Sequence, residues 1–214
     1  MTEAHTDLRP RLNWRHFLVN IASPGLLALA LCLGLIFAVV IPSMRDKIVE
    51  RKKEMIRELT QAAWSELAGL YEQEKAGTLT REAAQQAAIT RIQRLRYGDD
   101  AKDYFWISDG QPRMVMHPYR PELDGRDLST YADPAGKKLF VEFASLVRAQ
   151  GDGYTDYLWQ WKDDEHRIVP KLSYVKGFSP WGWIIGTGVY LEDVRAEVAQ
   201  ITRRVLQISV GISI

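Results

Sequence analysis

At 214 residues the chain is long enough for one medium-sized domain with attachments. Hydrophobic residues make up 46% and charged residues 26%, a mixture that supports a packed core and excludes general disorder. The formal charge of +1 argues against a dedicated nucleic-acid binder, and the single cysteine, Cys32, excludes both an internal disulfide and a cysteine-based metal cluster.

Residues 1–16 read as a short polar tail. From Phe17 to Met44 no residue carries a formal charge. A helix needs about 20 apolar residues to cross a bilayer, so residues 17–43 are read as a transmembrane helix, with Pro24 and Gly25 near its start. A cleaved signal peptide would have a shorter apolar run and a small-residue cleavage site, and the end of this run, Val39-Val40-Ile41-Pro42-Ser43, offers none. Arg9, Arg11 and Arg15 precede the span, but Arg45, Lys47, Arg51, Lys52 and Lys53 follow it, so basic residues alone leave the orientation undecided.

Arg45 to Lys75 is expected to be a long helix, because Val49, Ile56, Leu59, Ala63, Leu67 and Leu70 recur on one stripe. Gly77 ends it, and Thr80 caps a second helix over 81–96 with Ala84, Ala88, Ile92 and Leu95 inward, stopped by Gly98. Beyond this point the segments become short, aromatic and β-branched. Strands are expected at Tyr104–Ser108, Arg113–His117, Tyr154–Trp161, Lys171–Lys176 and Trp183–Tyr190. A helix over Gly136 to Gln150 separates the second from the third, and the last three are close enough in sequence to form an antiparallel meander. The sum is an α+β layout with a five-stranded sheet. Residues 191–204 resume a charged helix, and Val205 to Ile214 is an apolar run too short to span a bilayer, whose simplest reading is the start of a second span.

The succession Arg96-Tyr97-Gly98, Tyr104-Phe105-Trp106-Ile107, Met116-His117-Pro118, Leu123-Asp124-Gly125, Pro170-Lys171-Leu172-Ser173-Tyr174-Val175 and Trp181 to Tyr190 resembles the single Cache family of extracytoplasmic sensor domains. The match runs from about Arg45 to about Val194, with several motifs in one order. The resemblance implies a PAS-like antiparallel sheet with a long N-terminal helix, in receptors such as chemoreceptors and sensor kinases of the bacterial inner membrane. It implies a cytoplasmic tail at 1–16, an extracytoplasmic sensor at 44–194, and a juxtamembrane helix leading into a second span at 195–214. It further implies a small organic acid as ligand, bound on the open sheet face beneath the loop after the second strand, with no enzymatic activity and no cofactor.

A small carboxylate in a partly buried pocket needs a cation and several neutral donors. Hydrogen bonds to a charged group contribute about 1.5–3 kcal/mol each, and micromolar affinity needs about 8 kcal/mol. His117, at a strand end and held extended by Pro118, and Lys171, which opens an otherwise apolar strand, supply charge and donors. Each taken alone also fits a structural loop histidine or an exposed strand-end lysine. Tyr157, Tyr104 and Trp106 are expected as pocket walls, with Tyr174 and Met116 beside them; aromatics at such spacing also fit plain core packing. Asp163, Asp164, Glu165 and His166 are metal-ligand types, but they sit at a hairpin tip and read as a solvated turn, so no metal site is expected. Gly186-Thr187-Gly188 lies inside a strand and is no phosphate loop. The expected partners are a short carboxylate, the lipid bilayer and a second copy of the chain, and not nucleic acid. A membrane-anchored domain acting through protein contacts, or a membrane-anchored hydrolase, is the competing reading.

Overall fold

A computed structural model describes Val19 and residues 23–212, with side chains assigned up to Gln207 apart from Leu26. The tail expected at 1–16 and most of the first turns of the expected span lie outside the described residues. The chain divides into two units, Met1–Asp46 and Lys47–Ile214.

In the first unit, α1 (Ser23–Leu35) passes through a π-helical turn (Ile36–Val40) into α2 (Ile41–Lys75). Among the described residues this is the helix long and apolar enough to cross a membrane. Its apolar residues point outward on more than one side: Leu27, Leu31, Leu35 and Val39 are more than half exposed, and Leu29, Phe37 and Val40 are exposed too. A helix that is apolar all round and covered by nothing is suited to lipid. Cys32 is exposed on the same stretch.

The second unit begins on the polar stretch of α2. Its buried positions are Ile48, Ile56, Thr60, Ala63, Leu67 and Leu70, so Ile48 takes the place expected for Val49, and Leu59 is only half-buried. The spacing returns every three or four residues to one side, which is the condition for a helix to bury a single stripe. Thr80 caps α3 (Arg81–Arg94) by accepting a hydrogen bond from the Ala83 N–H at 3.2 Å. Ala84, Ala88 and Ile92 are buried, whereas Leu95 leaves the helix in an extended conformation and is exposed.

The sheet has six strands rather than the five expected: β1 (Arg96–Tyr97), β2 (Asp103–Asp109), β3 (Met114–Met116), β4 (Asp152–Trp161), β5 (Asp164–Phe178) and β6 (Trp183–Tyr190). The two-residue β1 is too short for any period to reveal it, and β5 is longer than the strand expected because it continues back to the hairpin tip. All pairings are antiparallel in the order β1-β2-β6-β5-β4, with β3 on β2. Between β3 and β4 lie the irregular segment 117–138 and α4 (Leu139–Gln150); after β6 the chain enters α5 (Leu191–Ile212) without a break. As far as residue 212, the apolar run expected to follow residue 204 belongs to the same helix, α5.

Each face of the sheet is covered. Phe105, Ile107, Phe178, Trp183 and Ile185 meet Leu67, Leu70 and Ile92 from α2 and α3. On the other face Tyr104, Trp106, Tyr157 and Trp159 meet Leu139, Phe140 and Phe143 from α4. The alternation along β2, Tyr104 and Trp106 to one side and Phe105 and Ile107 to the other, follows from the two-residue period of a strand.

Candidate functional site

The α4 face of the sheet is where polar groups are buried, and β6 leaves room for them. Gly186 and Gly188 present no side chain there. A Cβ on Gly186 would stand 2.6 Å from the Trp106 ring, and one on Gly188 would stand 2.2 Å from Ser173 Oγ. This is the physical role of the Gly-Thr-Gly run: it is a floor for the Trp106 indole and for the Ser173–Tyr157 hydrogen bond of 2.9 Å.

Above this floor is a cavity of about 10 Å³ lined by Tyr104, Trp106, His117, Leu139, Phe140, Phe143, Tyr157 and Trp159. That is space for about one water, so the pocket is narrow. Lys171 does not line it directly. Its ammonium lies behind the ring wall, 4.0 Å from the Tyr104 centroid, 5.1 Å from that of Trp106 and 4.8 Å from that of Tyr190. The strand register places it there, since Lys171 sits opposite Tyr157 on β4 and opposite Tyr190 on β6.

Lys171 is 1% exposed and its one hydrogen bond among the described residues is a long one, 3.4 Å to Tyr190 Oη. Among the described residues no carboxylate forms an ion pair with it. Burial pushes its ammonium down to about 7, against the opposing field of Asp103. Asp103, 8% exposed at the start of β2, is pushed by burial up to about 6, with Lys162 and Lys171 pulling the other way. A buried cation without a paired anion is unfavourable, and it creates a strong local preference for one.

The donors nearby repeat the pattern. Tyr104 Oη, Trp106 Nε1 and Ser108 Oγ are buried without a hydrogen-bond partner among the described residues. The Trp159 and Tyr190 side chains bear on the Tyr104 hydroxyl, but neither closes a well-formed hydrogen bond with it. His117 is fixed from two sides: its backbone N–H donates to Asp124 Oδ1 at 2.8 Å, and its Nδ1 accepts the Tyr119 N–H at 3.2 Å. The ring proton is thereby assigned to Nε2, a donor available to the cavity. Burial, then the fields of Lys171, Arg120 and Arg96, hold the His117 ring well below its ordinary value, so it is neutral.

The segment 117–138 closes the pocket and is clasped at both ends. Arg120 donates to Gln160 Oε1 at 3.3 Å, and Asp133 Oδ2 accepts the Leu158 N–H of β4 at 2.8 Å. Burial pushes the Asp133 carboxyl up, but the backbone donors of Leu158, Lys137 and Ala135 outweigh it and hold the group below the usual carboxylate range.

Five of the seven residues singled out from the sequence, His117, Lys171, Tyr157, Tyr104 and Trp106, come together around this cavity. Two do not. Tyr174 points to the other face, where it packs with Ile56 and Val189 and stacks on Tyr154 at 4.8 Å, because it lies an odd number of residues from Lys171. Met116 also joins the α2–α3 side, while Met114 joins the pocket side; the irregularity in the β2–β3 register at Ile107/Ser108 breaks the simple alternation that would put both on one face. Trp161 likewise leaves the Tyr157–Trp159 row at the register shift after Gln160 and stacks on Tyr190 at 4.8 Å. Sequence reasoning missed the Phe140 and Phe143 wall, which reads as an ordinary apolar helix face; Tyr190, which the pairing of β5 with β6 brings to Lys171, lies outside the cavity lining. The turn at 163–166 holds a Lys102–Asp163 ion pair of 2.6 Å, and no group of three or more metal-ligand side chains occurs among the described residues.

Comparison with known proteins agrees with this fold. The chain is 43% identical over 187 residues to a methyl-accepting chemotaxis protein of Pseudomonas putida, McpP, covering 87% of this chain and 33% of that one. It is 34% identical over 159 residues to the sensor histidine kinase MctS of Rhizobium johnstonii, covering 74% and 33%. It thus spans about a third of the length of these curated relatives. A solved Cache chemosensory domain, described for its carboxylic acid recognition, superposes with a TM-score of 0.64 at 43% identity, covering 68% of this chain and 97% of that one. With its long helix, its antiparallel sheet and a match of the family model over residues 48–204, the chain belongs to the single Cache domain 2 family.

Proposed function

We propose that this chain is the sensing part of a bacterial inner-membrane receptor, and that it binds a short monocarboxylate, without turning it over, in the pocket between the sheet and α4. The observation that carries this reading is Lys171: a buried ammonium with no carboxylate partner, beside the unpartnered donors Tyr104 Oη and Trp106 Nε1. These groups and His117 Nε2 are all donors. A carboxylate brings only acceptors and satisfies them, whereas an α-amino acid would also bring an ammonium group and set it against Lys171. The walls of Leu139, Phe140 and Phe143 leave the acid's other end only an apolar, narrow space. Filling the pocket requires the 117–138 segment or α4 to move outward. The 43% identity to a chemotaxis receptor and to an acid-recognising Cache domain supports the same reading.

In this proposal residues 1–16 are a cytoplasmic tail, 17–43 a membrane span, 44–194 the extracytoplasmic sensor and 195–214 a juxtamembrane helix entering a second span. The working receptor is a homodimer whose output is of the chemotaxis or kinase type.

Calorimetry and thermal unfolding on the full chain in detergent test the ligand class, using acetate, propionate and butyrate against glycine, alanine and succinate. A monocarboxylate at 100 times its Kd adds about 2.7 kcal/mol of stability. Glycine and alanine add none. Equal stabilisation by the amino acids, or by no acid at all, would sink the reading.

A further inference from the structure

Lys171 has a second neighbour set that the acid site does not use. The hydroxyl of Tyr190, which is fully buried, accepts from Lys171 Nζ at 3.4 Å and from the Lys162 backbone N–H at 2.8 Å, and donates to the Gln160 carbonyl at 3.0 Å. A phenol offers one proton and two lone pairs, so these three bonds exhaust it. Gln160 and Lys162 belong to the turn end of the β4–β5 hairpin, and Gln160 Nε2 also donates to the Lys162 carbonyl at 2.8 Å.

Tyr190 is also the last residue of β6, and Leu191 opens α5. A second tie reaches the same helix turn from the tyrosine ring. Trp161 stacks on Tyr190 at 4.8 Å, the Arg167 guanidinium lies 4.2 Å over Trp161, and Arg167 pairs with Glu192 of α5 at 2.5 Å. Lys162, whose backbone the phenol holds, is itself tied by Nζ to Asp100 at 2.8 Å and lies in the field of Asp193 on α5.

We propose that Tyr190 is the positioning residue that carries pocket occupancy to α5, its hydroxyl joining Lys171 to the β4–β5 hairpin and its main chain beginning the exit helix. The inference rests on Lys171 being the acid-binding cation. A carboxylate is a far better partner for the ammonium than a phenol at 3.4 Å, so an incoming acid draws Nζ away. Tyr190 Oη then loses one of its donors, and the hairpin and the first turn of α5 settle into the arrangement that satisfies it again. Ligand and exit helix are linked because the acid binds the two arrangements with different affinity.

Hydrogen exchange on the full chain in nanodiscs, with and without saturating propionate, tests this. In the wild type, propionate changes exchange in residues 160–163 and 191–197 as well as at the pocket strands. In Tyr190→Phe the propionate Kd stays within about threefold of wild type, while the response of 191–197 disappears. A purely structural tyrosine would move affinity and response together. The proposal is overturned if 191–197 respond equally in Tyr190→Phe, or if that variant loses binding outright, which would make Tyr190 a ligand contact. Should the variant fold poorly, the wild type decides alone: protection at the pocket strands with no change at 160–163 and 191–197 overturns it. If no acid in the acetate–butyrate series changes exchange anywhere, the acid-site reading falls and takes this inference with it.

Discussion

The two faces of the sheet are built on opposite terms. On the α2–α3 side, Leu67, Leu70, Ala84, Ala88, Ile92, Phe105 and Ile107 are apolar and buried. On the α4 side the same strands bury an ammonium, a neutral imidazole and three hydroxyl or indole groups without partners. Buried polar groups in folded proteins are nearly all satisfied, so a face that leaves several unmet at one spot is paying stability for something else. The first face makes the domain fold; the second is the one proposed above to receive an anion.

Substitutions sharpen that contrast. On the folding face, Leu67→Ala should cost about 2–5 kcal/mol in chemical denaturation, with the order of preference among acids unchanged. On the pocket face, Lys171→Met should do the reverse. It removes an uncompensated buried charge, so the empty protein melts higher, while propionate binding by calorimetry weakens by about 100-fold or more. A lower melting temperature for Lys171→Met would mean that the ammonium is structurally satisfied and the comparison is wrong. The floor sits between these extremes. Gly188→Ala forces a Cβ to within 2.6 Å of the Leu172 carbonyl as well as onto Ser173, and should destabilise by about 1–3 kcal/mol whether or not ligand is present.

The pH dependence follows from Lys171. Its folded value, about 7, is below that of the unfolded chain, so the unfolded state holds more protons between there and about 10.5. Stability from this group therefore rises with pH across that window, and burying the charged form costs most below it. Acid binding runs the other way. A bound carboxylate favours the ammonium, so affinity is flat below pH about 7 and weakens by up to about tenfold per unit above it. Calorimetry in buffers of different ionisation enthalpy should register proton uptake near pH 8 and little near pH 6; no uptake at either would show that Lys171 is charged throughout. The smallest effect belongs to Tyr174→Phe, which lies on the folding face and should leave propionate affinity within about twofold.

How far the sequence led depended on which period governed each residue. The stripe from Ile56 to Leu70, the Thr80 cap and the strands at 104–108 and 183–190 follow from local rules, and these elements form there. Tyr104, Trp106 and Tyr157 were placed on one face by alternation within regular strands. Met116 was misplaced because the alternation breaks at a register shift, which no single-strand pattern contains. Tyr174 was misplaced for a simpler reason: it was carried with its motif neighbours, although it is three residues from Lys171 and must face away. The meeting of Tyr190 with Lys171 was invisible because it is a property of strand pairing. The acid-binding role drew on the family likeness, since a lysine at a strand start has no local signature that distinguishes burial from exposure.

The bare floor of β6 has a consequence for how such a site can diversify. At Gly186 and Gly188 the backbone itself is the surface on which the Trp106 ring and Ser173 rest, so substitution there has almost nowhere to go. The opposite side of the cavity is α4, whose Leu139, Phe140 and Phe143 project from a helix that can exchange one apolar side chain for another of different bulk. If the pocket is the acid site proposed above, a lineage, or an engineer, retuning it to longer or branched acids would find its freedom in those three positions and hold the glycine floor fixed.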